Sequence, residues 1–200
     1  MMKYNEITWE KLLQIKTTGR DDSNADQYRY PYEPTPYGVL ERVANSGFIT
    51  KKDVVLDYGC GKGRVDFFLA YQTKANTIGI EYDERIYQCA LENQRTAVSK
   101  VRTEFVLARA EEYKVPTVVN RCYFFNPFSV ELLRKVMARI LESYYENQRE
   151  MLLFFYYPSE EYISYLLTMD ELQFYDGIGC GDLYEGSDLR EQVLIFKIVE

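Results

Sequence analysis

Gly59-Cys60-Gly61-Lys62-Gly63 follows Asp57 and the apolar run Val54-Val55-Leu56. A buried strand that enters a glycine-rich turn and then a helix lets the backbone approach a nucleotide-type ligand closely, because no Cβ intervenes. Asp57, at the strand end, can accept charge-assisted hydrogen bonds from a ligand ammonium. Farther along, Thr77-Ile78-Gly79-Ile80 ends in Glu81. That carboxylate stands about 20 residues beyond the glycines, where an acidic side chain can take both hydroxyls of a ribose. A third feature is Tyr123-Phe124-Phe125-Asn126-Pro127-Phe128-Ser129, in which an amide leaves the end of an apolar run.

Three cofactor chemistries compete for the turn. A phosphate-binding P-loop needs Ser or Thr after its lysine to hold magnesium, and Lys62 is followed by Gly63. A dinucleotide fingerprint needs a third small residue for close helix–strand packing, and Arg64 stands there. The remaining pattern, Asp57-x-Gly59-x-Gly61-x-Gly63, resembles the first motif of the class I S-adenosylmethionine-dependent methyltransferases. The resemblance runs from about Thr35 to the C-terminus through the order of elements. It implies S-adenosyl-L-methionine as cofactor, held by Asp57, Gly59, Cys60, Gly61 and Gly63. It also implies Glu81 on the ribose, Tyr82 beside the adenine face, and Ala110 or Glu111 near the adenine amino group. Plainer roles compete: a turn that only joins strand to helix, and Glu81 and Glu111 as acidic groups beside helix starts.

The segment from Asn126 resembles the [DNS]-P-P-[YFW] motif of amino-directed methyltransferases. Asn-Pro-Phe-Ser lacks the second proline and brings its aromatic one place early. The resemblance therefore implies Asn126 as a polar positioner of the methyl acceptor, with Pro127 and Phe128 beside it and Phe128 as a wall. The ordinary alternative is that Pro127 ends a strand and Ser129 caps a helix. Methyl transfer asks little acid–base chemistry of a protein, since the sulfonium is already activated. Alignment and exclusion of water are its main contributions.

The elements that must position these residues alternate. Apolar strands are expected at 54–56, 77–80, 105–107, 122–125 and 151–157, with helices over 62–72, 83–99, 130–144 and 160–168. Gln173-Phe174-Tyr175 and Val193-Leu194-Ile195-Phe196 have no helix between them and should pair antiparallel. The expected fold is α/β, a doubly wound, mostly parallel sheet of about seven strands with a C-terminal antiparallel strand. One domain is expected, with N-terminal helices and a lid over 1–50 and the Rossmann-like core over 51–200. The weak amphipathic pattern over 1–16 reads as a helix, and Val39, Leu40, Val43 and Ala44 as another. Between them, Pro31, Pro34 and Pro36 forbid a regular element in a stretch rich in tyrosine. Tyr28 to Tyr37 is a candidate lid with Tyr37 facing the site, or else a surface arm.

Bulk properties narrow the function classes. The 200 residues carry a net charge of −7, which disfavours a nucleic-acid substrate. There is no histidine, and the four cysteines show no metal-binding spacing, so no metal is expected. Reduced cysteines, no signal-peptide pattern and no apolar run long enough for a membrane point to a cytoplasmic protein. The acceptor is expected to be a small molecule or a protein side chain, with nitrogen favoured by Asn126. DNA or RNA amino-methylation and cofactor binding without catalysis remain the alternatives, and the oligomeric state stays open.

Overall fold

The computed structural model describes residues 6–23, 26–98, 101–186 and 188–199. Val54–Tyr58 (β1) has no polar alternation, so it needs cover on both faces, and it lies in the interior of a seven-stranded sheet. Asn76–Glu81 (β2) and Thr103–Leu107 (β3) continue the sheet on one side. Arg121–Phe124 (β4) and Leu152–Tyr156 (β5) continue it on the other. All of these pair parallel. Gln192–Ile198 (β7) then runs antiparallel between β5 and Leu172–Gly179 (β6), giving the order β3-β2-β1-β4-β5-β7-β6. The reversed strand follows from the missing crossover helix, as the sequence predicts. β6 extends well beyond the three residues expected, because pairing with β7 carries it through Asp176-Gly177 with a bulge after Phe174.

Glu6–Leu13 (α1), Tyr37–Asn45 (α2), Arg64–Thr73 (α3) and Glu84–Thr96 (α4) cover one face. There Trp9, Leu40 and Phe68 share a core with Val55 and Phe154. Val130–Glu146 (α5) and Glu160–Leu166 (α6) cover the other, packing Leu133, Met137 and Tyr162 on Leu56, Phe124 and Phe155. Residues on one strand alternate between the two cores, so Val55 and Asp57 face α3 while Leu56 and Tyr58 face α5. Part of the expected first helix (Met1 to Asn5) and the expected end of α4 at Ser99 lie outside the described residues.

Helix α3 starts two residues later than the periodicity suggests. Gly61 and Gly63 have φ of +57° and +85°, a left-handed conformation in which a right-handed helix cannot begin. Arg64, the residue that breaks the dinucleotide pattern, turns away from the sheet and is 2% exposed. It pairs with Glu6 at 2.5 Å, donates to Thr17 Oγ1 at 2.7 Å and to the Thr35 carbonyl at 3.2 Å, and lies over the Tyr37 ring. The N-terminal segment is thus anchored on the residue that follows the glycine turn.

Candidate active site

β1 and β2 end side by side, and the turn after β1 folds back onto β2. The amides of Gly59 and Cys60 both donate to the Ile80 carbonyl at 3.0 Å. Glu81 accepts from Gly61 N at 3.0 Å and from Tyr82 N and Asp83 N at 2.9 Å. The carboxylate expected to meet a ribose therefore also locks the glycine turn, a role its spacing does not announce. With three backbone donors satisfied, its oxygens keep capacity for a further donor from the cleft. Burial raises the Glu81 pKa, and the same three amides pull it back.

Asp57 lies below the turn, 3% exposed, and its Oδ2 has no hydrogen-bond partner among the described residues. Burial pushes its carboxyl up to about 7; the neighbouring Asp66 side chain pulls it back and the Glu81 charge adds to the rise. Beside it stands Asp66 of α3, fully buried and held well above the carboxylate range by burial and then by the Asp57 charge. Asp66 was not among the expected site residues. Its only trace in the sequence is an acid within the otherwise apolar run Val65, Phe67, Phe68 and Leu69 of α3.

The cleft above this floor is lined by Asp57, Gly59, Cys60, Glu81, Tyr82, Ala110 and Glu111, and by Pro127 and Phe128 from the β4–α5 turn. Nine of the expected residues thus meet in one place. Cys60 contributes through its backbone only, since its thiol is buried against the position of Gly79. Gly61 and Gly63 lie just outside the lining. A Cβ on Gly59 would stand 2.7 Å from Pro127 Cβ, and one on Gly63 2.5 Å from the Phe105 ring. The glycines therefore also serve close packing.

The roof is the proline-rich arm. Tyr30 N donates to the Pro127 carbonyl and Ser129 N to the Tyr28 carbonyl, which fasten the arm to the β4–α5 turn. Tyr32 lays its ring on Gly61, where a Cβ would come within 2.1 Å of it, and its hydroxyl donates to the Thr17 carbonyl. Arg29 pairs with Glu111 at 2.7 Å and covers the Tyr82 ring at 5.0 Å. The remaining cavity is about 80 Å³.

Tyr37, expected to face the site, does not reach it. It opens α2 at 1% exposure, stacked on Trp9 and tilted against Phe68 beneath the Arg64 guanidinium. Arg64 and α1 need a large apolar partner there, and the tyrosine that lies over the glycine turn is Tyr32, five residues earlier. The sequence offers only a weak pointer to Tyr32, its place between Pro31 and Pro34.

Asn126 stands on the other side of the arm. It follows β4 with φ +44°, a left-handed conformation uncommon outside glycine, and its buried Oδ1 has no partner among the described residues. It lines a second cavity of about 420 Å³ that shares Tyr30, Pro31, Glu33 and Phe125 with the cofactor cleft. Ser129 occupies the N-cap position of α5 without a cap hydrogen bond from its side chain.

The floor fits the methyl donor expected from the sequence: a buried carboxyl with one unpartnered oxygen for an ammonium, a carboxylate for ribose hydroxyls and a glycine turn between them. Residues 49–143 match a family model described as a methyltransferase domain. A protein-lysine N-methyltransferase of Saccharolobus islandicus is 32% identical over 71 residues, 34% of this chain and 44% of that relative. The chain thus spans less than half the length of the curated relative it matches. Among solved structures, an S-adenosylmethionine-dependent methyltransferase of Aquifex aeolicus aligns with TM-score 0.61 at 16% identity, over 84% of this chain and 94% of that one. An RNA methyltransferase of Salinibacter ruber, in complex with S-adenosyl-L-homocysteine, aligns with TM-score 0.52 at 18% identity, over 83% and 92%. No helix among the described residues is long and apolar enough to cross a membrane. The family match over residues 49–143 and the shared fold agree with the reading of the glycine turn: the chain carries a methyltransferase domain with the fold of S-adenosylmethionine-dependent methyltransferases.

Proposed function

We propose that the protein methylates a nitrogen atom of a small molecule or a protein side chain. The carrying observation is the buried, unpartnered Oδ1 of Asn126 beside the cofactor cleft. An orphaned acceptor in a buried place costs stability unless a ligand supplies a donor, and an N–H is the donor that a nitrogen acceptor brings. The S. islandicus relative, named for protein-lysine N-methylation, is in keeping with this reading. Net charge of −7 weighs against a nucleic-acid acceptor.

In this reading Asp57 takes the ammonium of the methionine part, Glu81 the ribose hydroxyls, and Tyr82, Ala110 and Glu111 border the adenine. Phe128 and Pro127 wall the cleft at the turn that also carries Asn126. S-adenosylmethionine supplies an activated methyl group when bound. The acceptor nitrogen presents its lone pair after giving a proton to solvent, and Asn126 holds the remaining N–H so that the pair faces the cleft. The arm excludes water while it covers the site. One domain carries all of this, and its four free cysteines suit the cytoplasm.

The test is transfer of labelled methyl groups to alkylamines, peptides and oligonucleotides, followed by identification of the modified atom. Methyl–nitrogen bonds on amines or peptides, lost in Asn126→Ala with S-adenosylhomocysteine binding intact, are expected. Label on oxygen, sulfur or RNA bases instead would overturn the proposal.

A further inference from the structure

The second cavity has a composition of its own. Its walls include the rings of Tyr30, Phe125, Tyr156, Tyr157 and Tyr184. Phe125 and Tyr156 lie 4.6 Å apart between centroids, and Tyr156 contacts Tyr157 at 6.1 Å. Three charged side chains also line it: Arg20, Glu33 and Glu191. Arg20 and Glu33 are matched with each other at 3.8 Å. Glu191 has no Lys or Arg partner among the described residues, and it accepts a hydrogen bond from Tyr156 Oη at 2.9 Å. Tyr156 Oη lies 3.2 Å from Tyr184 Oη, so the two phenols and the carboxylate form one network. Nearby, Arg190 is paired with Asp188 and stacked on Tyr157, leaving neither for Glu191.

Backbone geometry singles out the same place. Tyr157 follows β5 with φ +50°, as Asn126 follows β4 with φ +44°. A left-handed tyrosine is a costlier outlier than a left-handed asparagine, and such residues gather where geometry serves a ligand. The two flank the cavity at the carboxyl ends of adjacent strands.

We propose that this cavity is a cation subsite, in which the tyrosine rings and Glu191 bind the positively charged amine of the methyl acceptor and its methylated product. Aromatic faces attract a cation through their quadrupole, and the Glu191 carboxylate, held by the Tyr156 phenol that in turn bonds Tyr184, adds an unmatched negative charge in a partly buried wall. A neutral or anionic acceptor of the same shape gains nothing from either. The proposal deepens the nitrogen-methylation reading and rests on it for the word acceptor. The binding itself stands on the cavity alone.

The experiment titrates choline and its uncharged isostere 3,3-dimethyl-1-butanol into the protein with S-adenosylhomocysteine present, followed by NMR of the tyrosine rings. Choline is expected to bind about tenfold tighter than the isostere. Glu191→Gln and Tyr184→Ala are expected to remove most of that preference, while Tyr184→Phe, which keeps the ring, retains more of it than Tyr184→Ala. S-adenosylhomocysteine affinity, read in parallel, confirms that each variant is folded. Equal binding of the two probes, or an undiminished preference in Glu191→Gln, overturns the subsite. A choline preference together with methyl transfer to an atom other than nitrogen upholds the subsite and overturns the reading of the reaction.

Discussion

The floor of the cofactor cleft and the arm that roofs it are fixed in different ways. The floor is backbone on backbone: Gly59 and Cys60 amides on Ile80, and the Gly61, Tyr82 and Asp83 amides on Glu81. Its carboxyls are buried, and burial pushes up the pKa of Asp57, Asp66 and Glu81, with the three amides holding Glu81 back. The arm has few backbone bonds to the rest of the chain. It is held by Tyr32 on Gly61, Arg29 on Glu111 and Tyr82, and its pairing with the β4–α5 turn. A donor site common to many acceptors can be built into a sheet edge. A cover that has to admit the donor is better held by contacts that can be broken one at a time.

The largest expected effect comes from the floor. Glu81→Ala strips the acceptor from three buried amides and from the proposed ribose contact. Charged hydrogen bonds of this kind contribute about 1.5–3 kcal/mol each, so S-adenosylhomocysteine affinity should fall about 10- to 100-fold and the unfolding midpoint should drop with it. Calorimetric titration and a melt read both. Unchanged affinity would separate Glu81 from the ligand and leave it only a structural brace.

Gly61→Ala attacks the contact where floor meets roof. The new Cβ would lie 2.1 Å from the Tyr32 ring at a backbone φ of +57°. The left-handed conformation alone costs about 1–3 kcal/mol in a residue other than glycine. Adding Tyr32→Ala should return the steric part of the loss and leave the backbone part. If the single variant melts like the parent, Tyr32 does not press on the turn as described.

Below these comes an effect set by pH. Asp57 and Asp66 titrate higher in the folded chain than in the unfolded one, so between about pH 4 and 7 the folded state binds more protons. The Asp57 contribution to stability is complete below the unfolded carboxyl range and is lost as pH rises through about 7, while that of Asp66, held well above the carboxylate range, persists to higher pH. Denaturant unfolding at pH 6, 7 and 8 should show stability falling by up to about 1.4 kcal/mol per pH unit for each proton involved. Asp66→Asn, which mimics the protonated form, should flatten that slope. An ammonium beside Asp57 favours its ionised form, so binding of S-adenosylmethionine near pH 7 should release protons from this group. Titration in buffers of different ionisation heats measures them, and the same slope in Asp66→Asn as in the parent would mean that the pair is not the source.

What the sequence reveals divides along the same line as the structure. β1, the turn and β2 are legible because backbone geometry demands particular residues: glycine where φ is positive, apolar runs where both faces are covered. Asp57, Glu81 and the order of elements follow from that, as does the reversed β7 from the absent crossover helix. The arm is not legible, because side-chain contacts between distant segments leave no period. Tyr37 and Tyr32 look alike in sequence, and only the placement of Arg64 over Tyr37 decides which is core and which is lid. Asp66 and Glu191 are hidden for a similar reason. Each is one acid among 31, and its environment is made by other elements.

The smallest expected effect tests whether roof and floor are separable. Arg29 and Glu111 are 16% and 12% exposed, so their ion pair is neither a free surface pair nor fully buried. Exposed pairs contribute about 0–1 kcal/mol, and partial burial places this one near the top of that range. Arg29→Ala also uncovers the Tyr82 ring, but it touches none of the backbone bonds that fix the turn. The expected outcome is therefore a melting temperature within about 2 °C of the parent and a several-fold faster release of S-adenosylhomocysteine. A double-mutant cycle with Glu111→Gln isolates the pair from the loss of the ring contact. If release is unchanged while the melting temperature falls by several degrees, Arg29 braces the fold and the arm does not gate the cleft. If release quickens and the cycle shows coupling, the arm is held over a finished site by contacts that can open without disturbing it.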